Sequence, residues 1–181
     1  MSDLVAASTF LSYVLRHAPE AHDLDMDPHG WVEVDQLLAN APAHLGLDRP
    51  RLDEVVADND KRRFALSADG RHIRASQGHS VDVDLELEPI TPPDVLYHGT
   101  ASRFLDAIRS EGLRPGSRRH VHLSPDPVTA RAVGSRHGKP VILTVDAATS
   151  HAAGHPFYRS ANGVWLTDHV APAHLAAIDV E

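Results

Sequence analysis

Apolar positions in the first half of the chain repeat at helical spacing in three segments. The first segment begins near Asp3 and must end before Pro19, because proline cannot continue a helix. The second follows Trp31, and the third begins at the cap Asp48 and ends near Asn59. The positions that define the stripes are Leu4, Leu11, Val14 and Leu15, then Val34, Leu37, Leu38 and Ala41, then Leu52, Val55 and Val56.

Two short apolar segments then predict a hairpin. Residues 63–66 and 72–75 flank Ser67-Ala68-Asp69-Gly70, which has the composition of a hairpin turn. Three helices followed by a hairpin are typical of a winged-helix arrangement, which is frequent among nucleic-acid-binding proteins. The arrangement alone does not decide the function.

Short strands and a few helices alternate irregularly in the second half. Helices are expected from Phe104 to Gly112 and after the cap Asp126. Strands are expected at 95–98, 120–123, 141–145, 163–167 and 175–178. We therefore predict an α+β protein.

An acidic segment that ends in prolines separates the halves. Residues 81–88 alternate strictly between apolar and acidic side chains, which a half-exposed strand would also do. The three prolines that follow indicate a boundary. A chain of 181 residues is long enough for one domain or two small ones. We predict two lobes, 1–81 and 95–181, joined by a linker over 82–94.

Composition excludes several classes of protein. The absence of cysteine rules out disulfides, thiolate zinc sites, iron–sulfur clusters and a cysteine nucleophile. No run of 18 apolar residues exists, and the first ten residues lack the basic flank of a signal peptide, so a cytoplasmic protein without a membrane span is expected. The net charge of −8 argues by itself against nucleic acid. However, residues 61–74 hold five cations against Asp69 alone, a patch that suits the local binding of one anion.

Histidines supply the candidate chemistry of the second half. In 97–100, a histidine and a hydroxyl stand at a strand end, where Gly99 would let a ligand backbone approach; a structural core histidine is the alternative. His120, His122 and Ser124 share one strand face, but no third ligand has a familiar spacing, so we predict no metal site. Glycine-rich nucleotide motifs and the GxSxG motif of hydrolases are absent.

Basic residues of the first half also have ordinary explanations. Arg16 and His17 end the first helix, where cations interact well with the helix dipole. Lys61-Arg62-Arg63 could equally be a solvated face.

Taken together, these segments resemble the RNA 2′-phosphotransferase family. The resemblance covers about residues 8–178, with the motifs in the same order as in the family. In the first half it is carried by LSYVLRH at 11–17, GWV at 30–32, NDKRRF at 59–64 and IRASQGHS at 73–80. In the second half it is carried by LYHGT at 96–100, GL at 112–113, HVHLS at 120–124, GSR at 134–136 and FYRSANGVWLT at 157–167.

The resemblance implies a fold and a reaction. The fold would be an N-terminal winged-helix lobe that binds RNA phosphate and a C-terminal lobe of the ADP-ribosyltransferase type, with a split, mostly antiparallel sheet that binds NAD. The reaction would move an internal RNA 2′-phosphate, as at a tRNA splice junction, onto NAD through an RNA-2′-phospho-ADP-ribose intermediate. The products would be 2′-OH RNA, ADP-ribose 1″,2″-cyclic phosphate and nicotinamide. NAD would serve as co-substrate, without a metal or an obligate protein partner.

The resemblance also implies roles for particular residues. The catalytic group would be Arg16, His17, Arg74 and Arg136. NAD would be bound by Tyr97, His98, Gly99, Thr100, His122 and Ser124. The RNA phosphate would be bound by Lys61, Arg63, Gln77 and His79, with the choice between Arg62 and Arg63 left open.

Two other functions are compatible with parts of the pattern. An ADP-ribosyltransferase that stops after capping a nucleic-acid phosphate would need a catalytic glutamate, but beyond residue 95 only Glu111 and Glu181 occur, neither in a strand motif. A non-enzymatic winged-helix regulator that senses a nucleotide would need a basic face for duplex binding, which the acidic first lobe disfavours.

Overall fold

The chain divides into two compact units, Met1–Glu86 and Leu87–Glu181. The computed structural model describes residues 3–57 and 62–178. The boundary between the units lies inside the segment 82–94 that was predicted as a linker. None of the helices in the described ranges is long and apolar enough to cross a membrane.

Three α-helices form in the described part of unit 1, as the apolar stripes predicted. They are α1 (Asp3–Val14), α2 (Val34–Asn40) and α3 (Arg49–Ala57). The Asp48 side chain caps α3 by accepting a hydrogen bond of 2.9 Å from the Arg51 backbone N–H. The predicted end of this helix near Asn59 lies outside the described residues.

A three-stranded antiparallel sheet completes unit 1. Its strands are β1 (Val32–Glu33), β2 (Phe64–Leu66) and β3 (His72–Ala75), in the order β1-β3-β2. The predicted hairpin is confirmed: the Gly70 N–H closes the turn on the Ser67 carbonyl at 2.8 Å, in the left-handed conformation (φ 69°) that favours glycine. The helices and the sheet enclose an apolar core whose fully buried members include Leu11, Val14, Leu37, Leu52 and Ile73.

Residues 81–88 form no strand, so the strand interpretation of their alternation was wrong. Val83 is buried in unit 1, and the Asp84 N–H donates to the Pro28 carbonyl at 2.8 Å. In unit 2, the Ile90 N–H donates to the Phe157 carbonyl at 2.8 Å. The alternation thus reflects which side chains are buried. The backbone of the predicted linker forms hydrogen bonds with unit 1 at Asp84 and with unit 2 at Ile90.

Six strands lie in the described part of unit 2: β4 (Val95–Ala101), β5 (Val121–Leu123), β6 (Pro140–Asp146), β7 (Phe157–Arg159), β8 (Trp165–Thr167) and β9 (Leu175–Ile178). They form two three-stranded antiparallel sheets, in the orders β4-β6-β9 and β5-β8-β7. Tyr97 and Ser124 join the sheets, since each backbone N–H donates to the other residue's carbonyl, at 2.9 and 2.7 Å. The α+β prediction is therefore confirmed.

Three further α-helices lie in the described part of unit 2: α4 (Leu105–Glu111), α5 (Pro127–Gly134) and α6 (Ala147–Ala152). The first two were predicted, whereas α6 and the short strand β7 were not. Asp146 caps α6 by accepting from the Thr149 N–H at 3.0 Å. The sequence signal for this helix was Asp146, a residue type that commonly caps the N-terminus of a helix by accepting from the N–H three residues later.

Gly99 allows the backbone of α5 to lie directly on β4. A Cβ at Gly99 would overlap the Ala130 carbonyl oxygen, and a Cβ at Gly134 would lie 2.7 Å from the Thr100 carbonyl oxygen. The backbone that Gly99 admits on its Cβ side is therefore that of α5, and the role of Gly99 in binding NAD stays a prediction. The two glycines fix the C-terminal end of α5 against the strand that carries His98.

We expect Gly99→Ala to destabilise unit 2 by more than about 3 kcal/mol, because neither backbone can yield without breaking its own hydrogen bonds. Gly116→Ala is the matched control: nothing lies within 4 Å of its Cβ position, so only the left-handed conformation (φ 65°) would cost about 1–2 kcal/mol. Urea denaturation followed by circular dichroism measures both. Equal costs for the two variants would contradict the backbone contact.

Candidate functional site

The end of α1 is joined to the loop that follows β3. The His17 N–H donates to the Tyr13 carbonyl at 2.9 Å, which continues the helical turn beyond Val14. The Ser80 N–H donates to the Arg16 carbonyl at 2.9 Å, and the Ser80 Oγ lies 2.9 Å from His17 Nδ1. These bonds bring Arg16 and His17 to residues 76–80, hereafter the 76–80 loop.

The Arg16 side chain lies over Gly78 in this loop. A Cβ at Gly78 would lie 3.7 Å from both Cδ and Nε of Arg16, and Gly78 has a φ of 89°. The left-handed backbone is what favours glycine at this position, since a Cβ would meet Arg16 only at ordinary contact distance.

Arg74 is held by the turn that precedes β1. Its Cζ lies 4.4 Å above the centre of the Trp31 ring, and its Nη1 donates to the His29 carbonyl at 3.3 Å. Asp27 shapes this turn, since its Oδ1 accepts from the N–H groups of His29 and Trp31, both at 2.8 Å. A cation on an aromatic face is stabilised by about 0.5–2 kcal/mol.

The pKa of His79 indicates which charged groups lie near its ring. Burial, together with the nearby charges of Arg16, His17 and Arg74, lowers this pKa to about 4, and burial is the largest cause. Because Coulomb interactions weaken with distance, these three groups are its near charged neighbours. We call Arg16, His17 and Arg74, gathered around His79, the cation cluster.

At neutral pH, His79 is therefore an uncharged member of the predicted phosphate site. It is 3% exposed, and its Nε2 is buried without a hydrogen-bond partner among the described residues. A buried polar atom of this kind is unusual in a folded protein. It contributes a hydrogen-bonding nitrogen rather than a positive charge.

The basic residues before β2 are only partly described. Lys61 lies outside the described residues. Arg62 is exposed, Arg63 is half-buried, and their carbonyl groups accept from the Ser76 Oγ and N–H at 2.7 and 2.8 Å. These bonds hold the backbone of both arginines against the start of the loop that contains Gln77.

In unit 2, the structure brings together the two segments predicted to bind NAD. The Tyr97–Ser124 bridge places β4 beside the end of β5, and His98 Nδ1 lies 3.0 Å from the His122 carbonyl oxygen. A carbonyl can only accept, so Nδ1 carries the hydrogen and Nε2 is an acceptor. Thr100 is buried on the same strand.

The imidazole of His98 is also kept neutral. Burial is the main cause of its lowered pKa; the hydrogen bond to His122 acts in the opposite direction, and the charge of His137 adds to the lowering. His137 follows Arg136 in the exposed turn after α5. Arg136 thus belongs to unit 2, whereas the other three predicted catalytic residues belong to unit 1.

The other histidines of the β5 motif have local contacts. His120 Nε2 lies 3.6 Å from Asp168, and its ring centroid lies 5.4 Å from that of Tyr158. Within the described ranges, no group of three or more His, Cys, Asp or Glu side chains is placed to hold a metal ion.

Sequence reasoning gave no role to Trp31, the residue that holds Arg74. Val32 pairs with Ile73 in the antiparallel register, so the residue before Val32 stands opposite the residue after Ile73. The tryptophan was visible in the sequence, but its partner was not, because strand pairing is a tertiary property.

Comparison with known proteins identifies relatives over nearly the whole chain. The family model described as RNA 2′-phosphotransferase, Tpt1 / KptA family matches residues 2–169. A protein of Hahella chejuensis named probable RNA 2′-phosphotransferase is 60% identical over 178 residues, which cover 97% of this chain and 95% of the relative. Proteins with the same name from Burkholderia lata and Streptomyces coelicolor are 56% and 59% identical and cover 98% and 94% of this chain, and 92% and 93% of their own lengths.

We expect His79 to make folding depend on pH between about 4 and 6.5. In this range the unfolded chain protonates its exposed His79 while the folded chain does not, so the free energy of unfolding falls as the pH is lowered from 6.5. A shift of this size corresponds to about 3 kcal/mol. His79→Gln, which cannot titrate, should remove that part of the dependence.

The measurement is urea unfolding at several pH values, with the His79 ring followed by NMR. A ring that titrates near 6.5 in the folded wild-type protein would contradict the burial of His79 among cations.

Proposed function

This chain belongs to the RNA 2′-phosphotransferase family, enzymes that act on the 2′-phosphate of RNA, and we propose that it transfers this phosphate to NAD. The products are 2′-OH RNA, ADP-ribose 1″,2″-cyclic phosphate and nicotinamide, formed through an RNA-2′-phospho-ADP-ribose intermediate. Unit 1 binds the RNA phosphate, and unit 2 binds NAD. The RNA is a tRNA-like molecule with an internal 2′-phosphate.

The observation that carries this proposal is the cation cluster. Two arginines and the ring of His17 lie near one buried, neutral imidazole, and a phosphate monoester is an anion that offsets the charge of the two guanidinium groups. The planar fork of each guanidinium can donate two parallel hydrogen bonds to phosphate oxygens, which a lysine cannot.

The architecture supports the division of labour. The helices of unit 1 and the β2–β3 hairpin favour a winged-helix lobe. Two antiparallel sheets joined at Tyr97 and Ser124 favour a split sheet of the ADP-ribosyltransferase type in unit 2.

Residues around the Tyr97–Ser124 bridge fit NAD chemically. The oriented His98 ring offers Nε2 as an acceptor, and Thr100 and Ser124 carry hydroxyl groups on the adjoining strands. Ribose hydroxyls and the nicotinamide amide need such neutral donors and acceptors. When bound, NAD supplies a ribose carbon whose leaving group is already cationic.

In the first step, Arg16, His17 and Arg74 hold the 2′-phosphate with one oxygen directed at the ribose C1″. That oxygen forms the new bond to C1″, and nicotinamide leaves with the electron pair of the broken bond. The residues mainly align an anionic nucleophile with an electrophilic carbon, so positioning accounts for most of their contribution.

In the second step, arginines stabilise charge on the non-bridging phosphate oxygens. The ribose 2″-oxygen bonds to phosphorus as the bond to the RNA 2′-oxygen breaks, and a proton passes from the first oxygen to the second. We assign the transfer of that proton to His17 in its neutral form, since a protonated imidazole could not accept it, and Ser80 holds Nδ1 of this ring. Arg74 and Arg136 neutralise the charge that develops on the phosphate oxygens, as magnesium does in kinases, so we propose a reaction without a metal.

The proposal predicts a defined set of products. The protein mixed with NAD and a 2′-phosphorylated oligonucleotide, without added metal, should give 2′-OH oligonucleotide, nicotinamide and the cyclic phosphate in equal amounts by chromatography. EDTA should leave the rate unchanged.

Other outcomes of the same experiment identify the alternatives. Nicotinamide release without the cyclic phosphate would indicate an ADP-ribosyltransferase that stops after capping the phosphate. A shift of duplex DNA in a gel without nicotinamide release would indicate a regulator. Loss of turnover in EDTA, restored by magnesium or zinc, would show that a metal takes part.

We expect Arg74→Ala and Arg136→Ala to slow the second step by about 10²–10³-fold and the first step by less. In the first step, a tightly held phosphate oxygen is also a weaker nucleophile, so losing one arginine has compensating effects. The RNA-2′-phospho-ADP-ribose intermediate should then accumulate as a slower gel band before the 2′-OH product appears.

Arg71→Ala is the matched control, because Arg71 is an exposed arginine beside the hairpin turn and not part of the cation cluster. It should leave both steps unchanged. An equal decrease of both steps in Arg74→Ala and Arg136→Ala, with no such band, would mean that these arginines only bind substrate.

A further inference from the structure

Tyr13 presents an aromatic ring to solvent at the end of α1. Its side chain is 50% exposed, while Phe64 is buried and Phe10 packs against the core. Trp31 is half-buried and lies under the Arg74 guanidinium. A single exposed aromatic residue is common on protein surfaces, so its surroundings decide whether it has a role.

Tyr13 lies beside His17, a member of the cation cluster. The His17 N–H donates to the Tyr13 carbonyl, which sets the two residues one helical turn apart on the same face. Their ring centroids are 6.5 Å apart, with an angle of 47° between the planes. An accessible π surface therefore continues directly from a residue that contacts the proposed phosphate.

We propose that the Tyr13 ring stacks on the base of the nucleotide that carries the 2′-phosphate. The inference rests on the proposed function, because it takes the cation cluster as the site of that phosphate. The base and the 2′-phosphate are attached to the same ribose, so a nucleotide whose phosphate contacts His17 has its base within reach of the neighbouring ring.

RNA rather than a protein is the occupant that the charges favour. An exposed aromatic ring beside arginines is the combination that binds single-stranded nucleic acid, in which the phosphate meets cations and the base meets a π face. Every base has a π face, so this contact tolerates any base. The surface would bind the nucleotide without reading its sequence.

The test compares two oligonucleotides that both carry the 2′-phosphate, one with 2-aminopurine at that nucleotide and one abasic there. Binding is measured without NAD, so no reaction occurs. Tyr13→Ala and Tyr13→Leu should raise the Kd for the first oligonucleotide by roughly 10- to 100-fold and leave the Kd for the abasic one unchanged. The 2-aminopurine fluorescence should be quenched in the wild-type complex and restored with both variants.

Two further variants complete the comparison. Tyr13→Phe keeps the ring and should bind and quench as the wild type does. Val5→Ala removes another half-exposed apolar side chain of α1, near the opposite end of the helix, and should change neither Kd. Circular dichroism of all four variants shows that the fold is retained.

Two results would overturn the proposal. One is that Tyr13→Ala and Tyr13→Leu raise the Kd equally for both oligonucleotides, or leave both Kd values unchanged. The other is a dimer in the wild type that Tyr13→Ala dissociates, since the ring would then face a second copy of the chain. A wild-type protein that binds 2′-phosphorylated and 2′-OH oligonucleotides equally would instead contradict the proposed function, so the two failures are distinguishable.

Discussion

Unit 1 gathers positive charge around an imidazole that must stay neutral, and the local structure is arranged to hold that charge. Like charges at short range repel, so the guanidinium groups of Arg16 and Arg74 need separate means of support. The Ser80 N–H holds the carbonyl of Arg16, and the Ser80 hydroxyl holds the ring of His17. A buried, uncharged His79 adds no further cation, and the cluster that results is suited to a multiply charged anion.

Arg74 is supported by a different part of unit 1. Its guanidinium lies on Trp31 and donates to the His29 carbonyl, and both residues belong to the turn that Asp27 shapes. The Asp84 N–H bonds to the carbonyl of Pro28 in the same turn. The acidic segment after the hairpin therefore helps to hold a turn that positions an arginine.

In unit 2, the close approach of two backbones positions the strand that carries His98. Gly99 and Gly134 let α5 lie on β4, and the Tyr97–Ser124 bridge joins the two sheets at the same strand. His98 lies between these two contacts in the chain, and its ring is oriented by the His122 carbonyl. A side chain that is neutral and oriented in this way supports the proposed binding of NAD.

The sequence by itself determined the helices α1 to α5, the hairpin, the α+β class and the family, because apolar periodicity, caps, turn residues and motif order are all properties of neighbouring positions. It missed α6 and the strands β1 and β7, which are too short for a clear period. It predicted a linker over 82–94 but left a strand over 81–88 open, because alternation reveals the buried face and not the pairing partner. Only the tertiary structure decided that α5 is the neighbour of Gly99, that Trp31 lies under Arg74 and that His79 is neutral. Each of these depends on residues distant in the chain that fold into contact, and the charge of a histidine depends on the burial and the neighbours that such contacts create.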